Sequence, residues 1–210
     1  MDASVLPPPM ALALAANFGS VERWREEFIA MARTPGGASS SVLLMFQPRE
    51  GTLVNQQAPG GDGIPILAVD KQEDIEAFIA AIDWNPVYER YQEAVHAASE
   101  PFGARQDEVA DALLLDVRRA GVFEQAASMI PGARWRDPAD VGDWAGELPT
   151  DREVVVYCVY GHEVGRSTAM RLRAAGLQAR YLRGGIDGWQ SAGQPLAAKP
   201  GKPGKQGGTS

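Results

Sequence analysis

Cys158 is the only cysteine in the 210-residue chain, and its neighbours suit nucleophilic sulfur chemistry. It follows the apolar, β-branched run Val154-Val155-Val156-Tyr157 and opens the segment Cys158-Val159-Tyr160-Gly161-His162-Glu163-Val164. The run predicts a strand, and Ser167 to Ala175 predicts a helix. A thiol so placed sits at the C-terminal end of a strand, where ligands collect in open α/β sheets. Backbone N–H groups of the loop and of the helix's first turn should then point back at the sulfur. That setting favours thiolate, the nucleophilic form. Gly161 lets the backbone curl with positive φ and keeps a Cβ out of the cradle. The plainer alternative is a structural cysteine buried at a strand end.

The elements that would hold this loop alternate in type. Ala112 to Val117 and Gln178 to Leu182 predict strands on either side of Val154–Cys158. Val122 to Ser128 predicts a helix followed by the turn Ile130-Pro131-Gly132, and Gly176 ends the helix after the loop. Alternation of this kind implies a parallel sheet covered on both faces. A turn-rich break near Ser99-Glu100-Pro101-Phe102-Gly103 divides the chain. The expected organisation is a leader at 1–16 containing Pro7-Pro8-Pro9, a first unit at 17–98, a linker at 99–108 and a second unit at 109–198. Residues 199–210 hold Lys, Pro, Gly and Ser, with no large apolar residue, and are expected to be disordered.

Composition narrows the partners. A net charge of −7 argues against nucleic acid. No run reaches the roughly 18–20 apolar residues that a membrane span needs. No basic cluster precedes the apolar stretch Met10 to Ala16, so a secretory signal is not expected. A lone cysteine excludes an intrachain disulfide and fits a reducing cytoplasm, the expected location.

Four ordered matches make the second unit specific. Leu113-Leu114-Leu115-Asp116-Val117-Arg118, Ile130-Pro131-Gly132-Ala133 and Gly184-Gly185-Ile186-Asp187-Gly188-Trp189 followed by Gly193-Gln194-Pro195-Leu196 flank Cys158 at suitable spacing. The unit resembles a rhodanese domain, the thiosulfate sulfurtransferase family, although Met129 stands where that family usually has histidine. The resemblance implies an α/β fold with a parallel sheet and helices on both faces, and it makes Cys158 the active cysteine. The first unit, through Asn17-Phe18-Gly19-Ser20-Val21-Glu22-Arg23-Trp24, Glu27-Phe28 and Ala81-Ile82-Asp83-Trp84, resembles the C-terminal domain of iron/manganese superoxide dismutases. That likeness implies an α+β domain: a helix over Val21 to Ala32, strands at Val42–Phe46, Thr52–Asn55 and Ile66–Val69, then helices.

The dismutase family holds its metal with three histidines and an aspartate, two of the histidines from an N-terminal helical half that this sequence is expected to lack. The chain has two histidines, and His162 belongs to the other unit. Asp70, Glu73 and Asp74 could hold a hard cation weakly, but a redox metal without imidazole is unexpected. The expectation is therefore a metal-free unit, with acidic residues capping a helix over Asp74–Asp83. His96 should sit at a helix end facing the dipole, and Trp24, Phe28, Phe78 and Trp84 should be core. Dismutase relatives dimerise, so a homodimer is expected.

Sulfane-sulfur transfer requires a thiolate to attack the outer sulfur of a small sulfur-containing anion, leaving a persulfide that a thiol acceptor or cyanide discharges. Backbone N–H groups can hold the persulfide's charge. Val159, Tyr160, Gly161, His162, Glu163 and Val164 are the expected wall of the site, with no cofactor and no metal. His162 could protonate a leaving group. Glu163 would repel an anionic donor and is assigned a structural or acceptor-selecting role, and Tyr160 an apolar lip. Asp116 and Arg118 are expected to form an ion pair beside the loop, with Arg166 in support at the helix start. The loop counts as seven residues, one longer than the usual sulfurtransferase loop. It thus resembles phosphatases and arsenate reductases, and an oxyanion reductase or phosphatase is the alternative. Those enzymes clamp the oxyanion with arginine at the loop's last position, which here is Val164. A non-catalytic interaction or redox-sensing protein is the third reading.

Overall fold

The computed structural model describes residues 5–34, 41–70 and 74–200. The expected disordered tail beyond Pro200, and Glu73 of the acidic segment, lie outside the described residues.

The first unit begins earlier than residue 17. Pro8 and Pro9 occupy the opening of a helix, α1 (Pro8–Phe18), where a missing N–H costs nothing. Met10 and Leu14 of α1 are fully buried, so the expected leader is part of the core. α2 (Val21–Arg33) is capped by Ser20, whose side chain accepts from the Arg23 N–H. Trp24 and Phe28, four apart, share the buried face. Their rings lie 5.6 Å apart, and Trp24 meets Trp84 edge-on at 5.5 Å. Each such aromatic contributes about 2 kcal/mol by leaving water. β1 (Ser41–Gln47) pairs antiparallel with β2 (Thr52–Gln57) on one side and β3 (Ile64–Asp70) on the other.

The helix expected over Asp74–Asp83 is present and shorter, and a second helix begins directly after the segment. α3 (Ile75–Ala80) is capped by Asp74, whose carboxylate accepts from the Glu76 and Ala77 N–H groups. Asp83 caps α4 (Trp84–Ser99). Both aspartates do the work of capping, at opposite ends of the segment.

The expected linker 99–108 contains β4 (Gly103–Ala104), the edge strand of the second sheet. The chain then forms β5 (Leu113–Asp116), α5 (Ala120–Gln125), β6 (Ser128–Met129), β7 (Arg134–Trp135), α6 (Val141–Trp144), β8 (Val154–Tyr157), α7 (Glu163–Ala174), β9 (Ala179–Leu182), α8 (Gly185–Ser191) and β10 (Ala197–Ala198). The five-stranded sheet has the order β4-β9-β8-β5-β7 and every neighbouring pair is parallel. All four residues of the central β8 are buried. Val154 and Val156 pack with Ala169 and Leu172 of α7, while Val155 and Tyr157 pack with Ile186 and Trp189 of α8. Helices therefore cover both faces, as the alternating pattern implies. Ser128, expected at a helix end, pairs instead in a two-stranded ribbon with Ala198. Lys199, expected in the disordered tail, is tied by its Nζ to the Phe123 and Glu124 carbonyls.

The two units share a packed joint. Met170 of α7 belongs to the core of the first unit. Arg171 donates to the Ala16 carbonyl at 3.1 Å. The α7 helix thus supports the sheet with one face and the first unit with the other.

Candidate active site at the end of strand β8

Cys158 is the first residue beyond β8, and its surroundings explain which way the local amides face. α8 donates its Ile186 and Asp187 N–H groups to the carbonyls of Cys158 and Val159, each at 3.0 Å. Arg166 Nε donates to the Gly161 carbonyl at 2.9 Å. With these carbonyls drawn outward, the intervening N–H groups turn inward. The N–H groups of Gly165, Gly161 and His162 face Cys158 Sγ and favour its charged form. Gly161 sits at φ +69°, and a Cβ there would lie 2.7 Å from the Leu182 carbonyl oxygen. Gly185, at φ +58°, would bring a Cβ within 2.5 Å of the Cys158 carbonyl.

The helix starts sooner than the sequence predicts. α7 begins at Glu163 with His162 as its cap residue, and the His162 side chain makes no capping bond. The segment before the helix is 158–162, and Glu163 and Val164 of the expected seven-residue loop occupy the first helical turn. Valine and glycine hide this start, because both are poor helix formers. Gly165, the third helical residue, has an N–H that no helix carbonyl can accept from, and Cys158 Sγ takes that place.

The thiolate expectation is corrected by burial. Cys158 is 6% exposed. Burial is the largest influence and pushes its pKa up; the three N–H groups pull it down, and the Glu163 carboxylate pushes it up. The net direction is upward, so the resting group is a thiol, whose closest acceptor is the His162 carbonyl at 4.0 Å.

Asp116 and Arg118 form the expected pair, both buried, with Arg118 Nη2 2.5 Å from Asp116 Oδ2. The Tyr157 hydroxyl donates to the same carboxylate at 3.0 Å and accepts from the Ile130 N–H at 3.1 Å. Burial, then the Asp116 charge, pushes the Tyr157 pKa well up, so it remains a donor. Arg166 does not face the thiol. Besides bracing Gly161 it donates to Ser99 Oγ at 3.1 Å and lies over the Tyr181 ring at 4.2 Å. It positions the loop from behind.

A cavity of about 210 Å³ opens on the thiol. Val159, Tyr160, His162, Glu163 and Val164 line it with Arg118, and Tyr160 is an exposed lip at 56%. Gly161 lies behind the wall. The first unit adds Pro9 and Tyr88. Glu163 is 4% exposed and reaches across the joint: the Tyr88 hydroxyl donates to its Oε1 at 2.6 Å and Gln92 Nε2 to its Oε2 at 3.1 Å. Burial, then the bond to Glu163, pushes the Tyr88 pKa well up. His96 lies in the last turn of α4, its ring 5.7 Å from that of His162. Burial, then Arg166 and His162, push its pKa down, which weakens the expected interaction with the dipole. Among the described residues no cluster of three or more His, Cys, Asp or Glu could hold a metal ion. No helix there is long and apolar enough to cross a membrane.

Sequence reasoning missed Gly165, Gly185, Tyr88, Gln92 and Arg119. The double glycine before α8 was visible as a motif, but its contact with the loop was not. Tyr88 and Gln92 lie about seventy residues from Glu163, and no local pattern announces so distant a partner.

Comparison with known proteins places these observations. Residues 101–192 match the rhodanese-like domain family. A sulfurtransferase from Allochromatium vinosum is 33% identical over 103 residues, covering 49% of this chain and 94% of that protein. The N-terminal half is similar to dismutases: an iron superoxide dismutase from Cupriavidus metallidurans is 37% identical over 112 residues, 45% of this chain and 57% of that protein. This chain thus spans little more than half of that dismutase's length. A rhodanese-related protein of known structure from Thermoplasma volcanium is 22% identical with a TM-score of 0.39, covering 45% of this chain and 96% of that one. The domain and the sulfurtransferase relative support a sulfurtransferase-type function.

Proposed function

The chain belongs to the rhodanese-like domain family, and on that premise we propose that it carries a sulfane sulfur from a thiosulfate-like donor, through a persulfide on Cys158, to a thiol or cyanide acceptor. The observation that carries this reading is the convergence of the Gly165, Gly161 and His162 N–H groups on Cys158 Sγ.

The steps follow from that geometry. Cys158 gives up its proton, and the thiolate attacks the outer sulfur of the donor. The donor's S–S bond breaks, and sulfite leaves with the bonding pair. The terminal sulfur of the persulfide carries negative charge, and the amides that already face the thiol hold it. An acceptor thiolate then attacks that sulfur and releases Cys158. His162, exposed at the cavity mouth, is positioned to exchange protons with the acceptor.

Oxyanion reduction or phosphatase chemistry is the second reading, suggested by the loop length; the position where those enzymes carry an arginine is Val164, the second residue of α7. The arginine nearest in sequence, Arg166, is engaged behind the loop with Gly161. The dismutase-like half is read as a scaffold without redox metal, and the reducing cytoplasm as the setting in which a lone thiol stays usable. Thiocyanate formation from thiosulfate and cyanide tests the proposal: the wild type should turn over and Cys158→Ser should not. Equal turnover by both would end it.

A further inference from the structure

The cavity holds an arginine that the steps above leave unused. Arg119 follows the buried Arg118 in the turn entering α5 and lines the same cavity as Cys158. Arg118 is committed to Asp116 and to the Ser128 carbonyl. Arg119 is half-buried; its carbonyl accepts from the Val122 and Phe123 N–H groups, while its guanidinium has no ion pair and no hydrogen bond among the described residues. A guanidinium partly withdrawn from water without a partner favours an anion that brings one, and its planar fork matches a carboxylate.

The other walls restrict what that anion can be attached to. Glu163 fixes a negative charge on the α7 wall, where Tyr88 and Gln92 of the first unit hold it with neutral donors. An anionic group is repelled there and drawn toward Arg119, whose charge reaches across to Tyr88. Pro9, Val122 and Val159 make the lining between them apolar, which suits a carbon skeleton. The cavity, about 210 Å³, suits a small molecule. We propose that the sulfur acceptor is a low-molecular-weight organic thiol bearing a carboxylate, with Arg119 pairing the carboxylate while the thiol faces Cys158. The inference rests on the sulfurtransferase reading and adds the acceptor class. In the step, the acceptor sulfur bonds to the terminal sulfur of the persulfide and the Cys158 S–S bond breaks. Its electron pair stays on Cys158, which takes the acceptor's proton, and an organic persulfide anion departs.

The test isolates the second half of the reaction. Full-length protein is loaded with thiosulfate, persulfide is verified by intact mass, and single-turnover discharge is followed with 3-mercaptopropionate or its uncharged amide. The wild type should discharge to the acid about tenfold faster than to the amide at subsaturating acceptor, as a charge-assisted pair implies. Arg119→Gln should bring that ratio close to one, and Arg119→Lys should restore part of it. Equal rates with acid and amide in the wild type, or an unchanged ratio in Arg119→Gln, would overturn the acceptor assignment alone. Failure of the wild type to load at all would instead overturn the sulfurtransferase reading beneath it.

Discussion

Gly165, third residue of α7, packs against Cys158, one residue past the end of β8, with its N–H facing the sulfur: a Cβ on Gly165 would lie 3.4 Å from Sγ. A first-turn amide that usually takes a polar cap side chain takes the reactive sulfur instead. Helix start and sulfur site are thus one construction.

The pH dependence follows from burial. The folded thiol has a raised pKa, so the native state binds its proton more tightly than the unfolded chain does. Its contribution to stability is intact below the ordinary thiol value of about 8.5 and is lost as pH rises through the folded pKa. The rate of sulfur loading from thiosulfate should climb with pH through that value, with no plateau below it. A rate already saturated at neutral pH would show an ionised resting cysteine.

Gly161→Ala should disrupt the cradle. Its φ of +69° and the 2.7 Å approach to the Leu182 carbonyl leave no relaxed position for a methyl group. The expected loss is about 2 kcal/mol in urea unfolding, together with slower loading. Unchanged stability and rate would mean the loop curls differently.

Asp116→Asn removes the charge that balances Arg118 in a buried pair. Stranding one buried ion costs about 3–5 kcal/mol, read as a lower urea midpoint at constant m. A shift within error would show that Arg118 finds another partner.

Tyr88→Phe tests the joint. It removes a donor from the buried Glu163 carboxylate and should cost about 1–3 kcal/mol. Unfolding that matches the wild type would mean the joint does not depend on this bond.

The sequence made much of this legible, for physical reasons that differ by element. Val154–Tyr157 announced a strand buried on both faces, and Trp24 with Phe28 announced the apolar face of α2. The Asp116–Arg118 pair was readable only through the resemblance of Leu113–Arg118 to the family's opening segment. The start of α7 was hidden, since Val164 and Gly165 have poor helix propensity and the sulfur that accepts from Gly165 looks like no known cap. The direction of the Cys158 shift was also hidden: the sequence shows how many amides face a thiol, while the fold sets how little water reaches it. Helix α1 lies within the expected leader, and Pro8 and Pro9 fit its first turn because a missing N–H costs nothing there. Glu163, Tyr88 and Gln92 meet only through packing of α4 on α7.

Intact-mass measurement after thiosulfate treatment tests the central claim most directly, because a chain with one cysteine offers one site for the product. Wild-type protein should gain a single sulfur atom, removable by a thiol acceptor, and Cys158→Ser should gain none. No gain in folded wild-type protein, or the same gain in both proteins, would contradict the account.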